Sequence, residues 1–103
     1  MTTPDEPEQP EVVEANWDHE QIAALFADLS QGADIKHVQV RSRTAANRVD
    51  DRQVTLQQAH ELLQDGRARA IQIYYEFNGL SWCDTLVPQS DSVRIIRTLL
   101  PAV

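Results

Sequence analysis

Two residues, Asn78 and Gly79, constrain the fold of this chain more than any other feature, because they separate two runs of β-forming side chains. An Asn-Gly pair readily adopts the positive φ angles of a two-residue type I′ turn, and that turn suits the natural twist of paired strands. We therefore expect residues 68–86 to form a tight β-hairpin, and the rest of the chain to cover or extend it.

The turn also predicts the register of this hairpin. The expected cross-strand pairs are Phe77 with Leu80, Tyr75 with Trp82, Ile73 with Asp84 and Ile71 with Leu86. Because side chains alternate along a strand, all of these share one face of the sheet. The opposite face is mostly polar and carries Gln72, Tyr74, Glu76, Ser81, Cys83 and Thr85. This pattern predicts a sheet that is covered on one side and exposed to solvent on the other.

Two segments have the pattern of amphipathic helices, and each begins with a capping box. We expect the first helix over residues 19–31, after the N-cap Asp18, and the second over residues 56–65, after the N-cap Thr55. The apolar stripes consist of Ile22, Leu25, Phe26 and Leu29 in the first helix and Leu56, Ala59, Leu62 and Leu63 in the second.

Two further strands complete the expected set. Residues 35–42 alternate between apolar and polar side chains, and residues 93–99 are rich in β-branched side chains. A helix that begins near Ser90 is the alternative for the second of these segments. Residues 43–54 show no apolar periodicity, which predicts a long loop.

These elements predict an α+β fold in the order α-β-α-β-β-β, with two helices on one face of a mostly antiparallel four-stranded sheet. Residues 17–103 would form a single small domain. Residues 1–16 contain five acidic residues, no basic residue and three prolines, a composition typical of a disordered tail. Removal of this tail is expected to leave the stability of the domain nearly unchanged.

Composition excludes several classes of function. No apolar run approaches the roughly 20 residues that span a bilayer, so no membrane association is expected. The net charge of −7 argues against nucleic acid as a partner. One cysteine cannot form an internal disulfide, which favours a cytoplasmic location. No spacing of histidine and cysteine suggests a metal site, and no glycine-rich loop suggests a nucleotide, so we expect no metal or cofactor.

Asp84 breaks the pattern, because the register places its carboxylate on the covered, apolar face. Burial of an unpaired carboxylate is costly, so Asp84 should have a partner. The candidates are His60, beside the apolar stripe of the second helix, and the arginines of residues 41–52. A structural ion pair is one interpretation of Asp84. The other is an acid–base pair of Asp84 with His60 in a small pocket.

Two further groups of residues are candidates for ligand or partner contacts. Tyr74, Cys83 and Thr85 would lie on the solvent-exposed sheet face, where they suit a symmetric homodimer that Tyr74→Glu should split. Arg43, Arg48 and Arg52 in the predicted loop carry planar guanidinium groups that suit carboxylates or phosphates.

The combination of short helices, a curved sheet and a strand with the sequence Trp-Cys-Asp-Thr-Leu at residues 82–86 resembles the small cone-shaped NTF2-like pocket proteins. This chain has fewer helices than that fold, and the resemblance transfers no functional residue. The leading hypothesis is therefore a non-enzymatic accessory or interaction module, with a protein partner or a second copy bound through the outer sheet face or edge. The alternative is an NTF2-like pocket protein or an enzyme that uses Asp84 and His60.

Overall fold

The computed structural model describes residues 12–43 and 49–101 and shows an α+β fold. Its elements are β1 (Val12–Trp17), α1 (His19–Gly32), β2 (Asp34–Arg43), β3 (Val49–Gln53), α2 (Leu56–Gln64), β4 (Ala70–Phe77), β5 (Leu80–Pro88) and β6 (Val93–Leu99). Within these residues, six strands form one antiparallel sheet in the order β1-β6-β5-β4-β2-β3. The α+β class is confirmed, but the sheet has six strands instead of the predicted four.

The central hairpin, β4 with β5, has the predicted turn and register. Asn78 and Gly79 have φ angles of 53° and 76°, as a type I′ turn requires. The four predicted cross-strand pairs, from Phe77 with Leu80 to Ile71 with Leu86, are all present. The sheet face that carries Ile71, Ile73 and Tyr75 is called the inner face below, and the face that carries Gln72 and Tyr74 the outer face.

Both helices begin where their capping boxes predict. Asp18 Oδ1 accepts a hydrogen bond from the backbone N–H of Gln21 at 2.8 Å, and Thr55 Oγ1 accepts one from the backbone N–H of Gln58 at 3.1 Å. The apolar stripes of the two helices pack against the inner face and form one core with it. Its fully buried large side chains include Ile22, Val40, Ile71, Ile73, Leu86 and Val93.

Residues 93–99 form a strand, as preferred over the helical alternative. This strand, β6, pairs with β5 on one side and with β1 on the other, so its backbone is paired on both sides. Val93 and Ile95 are buried while Arg94 between them is exposed, which is the alternation of a strand with one covered face.

The predicted tail boundary is wrong, because residues 12–17 form the edge strand β1. Ala15 and Trp17 pack against the core, and the carboxylate of Glu14 forms an ion pair with Arg94 of β6. The acidic and proline-rich composition that predicted disorder is concentrated before Val12, and it obscured a short strand whose apolar side chains are exposed or half-buried. The predicted disorder of residues 1–11 lies outside the described residues.

The predicted loop over residues 43–54 is also wrong in part. Residues 49–53 form β3, which pairs antiparallel with the second half of β2. With one apolar residue among five, the sequence of β3 shows no alternation from which a strand could be predicted. The element order is therefore β-α-β-β-α-β-β-β. Residues 44–48 of the predicted loop lie outside the described residues.

Deletion of residues 1–16 is now expected to destabilise the protein, in contrast to the expectation from composition. The deletion removes five of the six residues of β1, including Ala15, so the buried side chain of Ile95 opposite it loses its cover at the sheet edge. The free energy of unfolding should fall by about 2 kcal/mol, the scale for exposing one large apolar side chain. Urea denaturation measures this change, with a deletion of residues 1–11, which keeps β1, as the matched control. Equal stability of the two truncated proteins would contradict the structural role of β1.

Candidate functional site

The most unusual side chain of the inner face is Asp84, which is 0% exposed. Its carboxylate accepts three hydrogen bonds. Arg97 donates from Nε to Oδ1 at 2.9 Å and from Nη2 to Oδ2 at 2.8 Å. Tyr75 Oη donates to Oδ1 at 3.1 Å. A bidentate guanidinium–carboxylate pair of this kind combines charge with fixed geometry, so the buried carboxylate is fully compensated.

Neighbouring strands bring these three groups together. Arg97 on β6 lies directly opposite Asp84 on β5, and Tyr75 on β4 lies opposite Trp82, two residues away from Asp84 on the same face. The sequence correctly indicated that Asp84 is covered and paired. It did not identify Arg97, because the register between β5 and β6 was not known. Among the described residues, the hydrogen bonds to Asp84 come from Arg97 and Tyr75 and not from His60. A contact of Asp84 with an arginine of residues 41–52 stays a prediction.

Both side chains that donate to Asp84 keep their protons. The hydrogen bond from Arg97 to Asp84 raises the pKa of the guanidinium, which stays charged. Burial, with a further contribution from Asp84, raises the pKa of Tyr75, so its hydroxyl stays protonated and remains a donor. Both partners therefore hold their protons through the physiological range. Such a network suits a structural role better than proton transfer.

A groove opens beside this network, between α1 and the inner face, with a volume of about 410 Å³. Arg97 forms part of its wall, and the side chain of Arg97 is 33% exposed although its partner is completely buried. Most of the lining is apolar. The lining residues are Trp17, Gln21, Ala24, Leu25, Asp28, Leu29, Ala33, Tyr75, Phe77 and Arg97. The groove is thus an apolar depression whose wall carries a fixed guanidinium.

The groove residues come from four separate elements. Trp17 ends β1, Tyr75 and Phe77 lie in β4, Arg97 lies in β6, and the other lining residues belong to α1 or to its C-cap, Ala33. These elements are distant from one another in the sequence, so no single local motif indicated the groove. The placement of Tyr75 and Phe77 on one face of the hairpin was the part of this surface that alternation could predict.

His60 lies elsewhere. Its ring stacks on Phe26 with a centroid distance of 4.4 Å and an interplanar angle of 5°, at the junction of α1 and α2. It lines a different surface depression, together with Leu56, and not the groove beside Arg97. Among the described residues, the hydrogen bonds to Asp84 come from Tyr75 and Arg97. The geometry therefore gives no support to an Asp84–His60 acid–base pair.

The outer-face candidates differ in their accessibility. Cys83 is only 7% exposed, and burial raises the pKa of its thiol, so it presents little surface to a partner. Tyr74 and Thr85 are half-buried. Tyr74 contacts the ring of His37 at a centroid distance of 5.8 Å. Of the three predicted contact residues, Cys83 is therefore the least suitable.

Of the three arginine candidates, Arg52 is the one whose side chain the structure describes. Arg52 is exposed and lies in β3, where its backbone pairs opposite Val40. Arg43 ends β2, while its side chain and the whole of Arg48 lie outside the described residues. The proposed anion-binding role of these arginines stays a prediction.

Neither a metal site nor a membrane-spanning helix is present among the described residues. In the described ranges, no group of three or more His, Cys, Asp or Glu side chains is positioned to hold a metal ion. The helices α1 and α2, within the part of the chain that the structure describes, are too short and too polar to cross a membrane. Comparison with protein-family models, curated proteins and solved structures found no match for this chain.

Replacement of Asp84 tests whether the network is structural. Asp84→Asn removes the charge but keeps the size of the side chain, so the free energy of unfolding should fall by about 1–3 kcal/mol, as for a buried charge-assisted hydrogen bond. Denaturation at neutral pH measures this loss. Glu76→Gln is the matched control, because Glu76 is an exposed carboxylate of the same hairpin. A variant Asp84→Asn that is as stable as the parent would show that the buried pair is not needed for folding.

Proposed function

We propose that this chain is a non-enzymatic protein-interaction module that accepts an apolar side chain of a partner protein in the groove between α1 and the inner face. The observation that carries this proposal is the continuity of the groove with exposed apolar surface. Phe77 lines the groove and is 46% exposed, and Leu80, its cross-strand neighbour on the same face, is 48% exposed. Exposed apolar surface bordered by polar residues is typical of protein-binding sites.

The charges around the groove favour a basic partner segment. Asp28 lies in the groove wall, whereas the cross-strand pair of Asp34 and Glu76, beside the Phe77 end of β4, lies on the outer face. Lys36 forms a salt bridge with Asp34 at 2.8 Å and balances one of these carboxylates. The whole chain has a net charge of −7. An apolar segment flanked by Lys or Arg would therefore be attracted, and an acidic segment repelled.

Arg97 gives the groove a directional polar contact. A guanidinium has five N–H donors, and the pair with Asp84 uses two of them. The partly exposed side chain can therefore donate to a carbonyl oxygen of the partner, and the ion pair holds it in place before binding. A donor that is already oriented loses less conformational freedom when the partner binds.

A second candidate function is the binding of a small, mostly apolar molecule in the same groove. The volume of about 410 Å³ falls within the range of known ligand pockets. The positions of His60 and Asp84 favour binding over acid–base chemistry. Neither proposal involves nucleic acid, because the chain is acidic. We place the protein in the cytoplasm because its single cysteine fits a reducing compartment.

Substitution within the groove tests this proposal. Ala24 is exposed on α1 and lines the groove, so Ala24→Trp should fill the space without disturbing the core. Gln31→Trp places the same side chain on an exposed position of the same helix outside the groove and is the matched control. Denaturation of both variants should first show parent-like stability.

Affinity capture from the native host, followed by cross-linking and mass spectrometry, provides the readout. We expect the parent and Gln31→Trp to retain a protein whose cross-linked segment is apolar with basic flanks. The affinity of Ala24→Trp for this protein should fall by about tenfold, which is equivalent to one strong anchor contact. A small molecule lost from Ala24→Trp in native mass spectrometry would favour the second candidate. The same captured proteins for all three would contradict the use of the groove.

A further inference from the structure

The two edges of the described sheet differ in how they are protected. An edge strand exposes unpaired backbone N–H and C=O groups, and proteins usually guard such edges with charges, prolines or bulges. The sequence of β3 contains three successive charged residues, Asp50, Asp51 and Arg52. The sequence of β1 contains one charged residue, Glu14, which pairs with Arg94 of its own chain. β1 is therefore the less protected edge.

β1 is also suitably formed for pairing with another strand. Its register against β6 is continuous from Val12 to Trp17, without a bulge, and it contains no proline. Val12 and Val13 are 58% and 50% exposed. The edge thus offers a regular backbone and apolar side chains on both faces of the sheet.

We propose that two copies of this chain pair through β1 in antiparallel orientation, so that their sheets join into one continuous sheet. A twofold axis perpendicular to the sheet produces this arrangement and keeps the inner faces of both copies on the same side. The proposal depends on the edge of the sheet and is independent of the function proposed for the groove.

The side chains of β1 discriminate between the two symmetric registers that are centred near the middle of the strand, on Glu14 and on Ala15. Residues that lie opposite each other in antiparallel strands share a face, so the twofold axis must pass beside a single residue of β1. Centred on Glu14, the pairing would place two carboxylates directly opposite each other, which is unfavourable. Centred on Ala15, it places Val13 opposite Trp17 of the second copy on the inner face and Glu14 opposite Asn16 of the second copy on the outer face.

The register centred on Ala15 is self-complementary. It places the small side chains of the two Ala15 residues at the axis. The exposed Val13 of each copy is covered by the half-buried Trp17 of the other copy, and no like charges lie opposite each other. Because the same strand supplies both halves, no other sequence is required. These features favour a second copy of the chain over an unrelated strand as the occupant of this edge.

Disulfide trapping tests the register. In the full-length chain, Ala15→Cys should place two thiols across the axis, where directly opposed Cβ atoms are about 4.5–5.5 Å apart and need only a small adjustment to form a disulfide. The buried Cys83 is kept in every protein. Gln31→Cys, on an exposed position of α1, is the matched control. We expect a covalent dimer from Ala15→Cys under mild oxidation; cross-linking no faster than for Gln31→Cys would overturn the register.

Analytical ultracentrifugation tests the interface without cross-linking. The parent chain should be dimeric at about 50 µM, where contacts of micromolar affinity are populated. Val13→Lys adds a charge at the edge on an already exposed position and should raise the dissociation constant by about tenfold or more. Tyr74→Glu, on the outer face, should leave it unchanged. A monomeric parent, or a dimer split by Tyr74→Glu and not by Val13→Lys, would overturn the proposal.

Discussion

The ion pair between Asp84 and Arg97 is the interaction on which the arrangement of this sheet depends. A carboxylate without solvent exposure on an apolar sheet face is tolerated only when its charge and lone pairs are compensated. Arg97 and Tyr75 supply this compensation from the strands on either side. The pair therefore favours one register between β5 and β6, since a shift by one residue would turn Arg97 to the outer face.

The same pair connects the core with the surface. The guanidinium of Arg97 forms the ion pair with the buried carboxylate of Asp84, and Arg97 also forms part of the groove wall. The group that compensates Asp84 therefore also supplies a fixed hydrogen-bond donor for a molecule in the groove. The exposed side chains of Phe77 and Leu80 continue the apolar lining of this groove along the inner face.

The sequence predicted those elements whose signals are local. The Asn78-Gly79 turn determines the hairpin register, and capping residues mark the starts of α1 and α2. β3 was missed because it has one apolar residue among five. β1 was missed because its alternation of Val13, Ala15 and Trp17 with Glu14 and Asn16 was assigned to the acidic, proline-rich segment. Arg97 was missed because the connection between β5 and β6, closed by a hydrogen bond from Gln89 N–H to the Ser92 carbonyl, has no two-residue turn signature from which to count the register. The groove requires side chains from distant elements and has no local signal.

The energetic coupling between Asp84 and Arg97 tests this account most directly. In a double-mutant cycle with Asp84→Ala, Arg97→Ala and the double variant, residues in direct contact show interaction energies of about 0.5–3 kcal/mol. For a buried bidentate pair we expect a coupling of about 1 kcal/mol or more, with the double variant less destabilised than the sum of the single variants. Additive losses in the free energy of unfolding would show that the two residues stabilise the protein independently, and would contradict the central role of the pair.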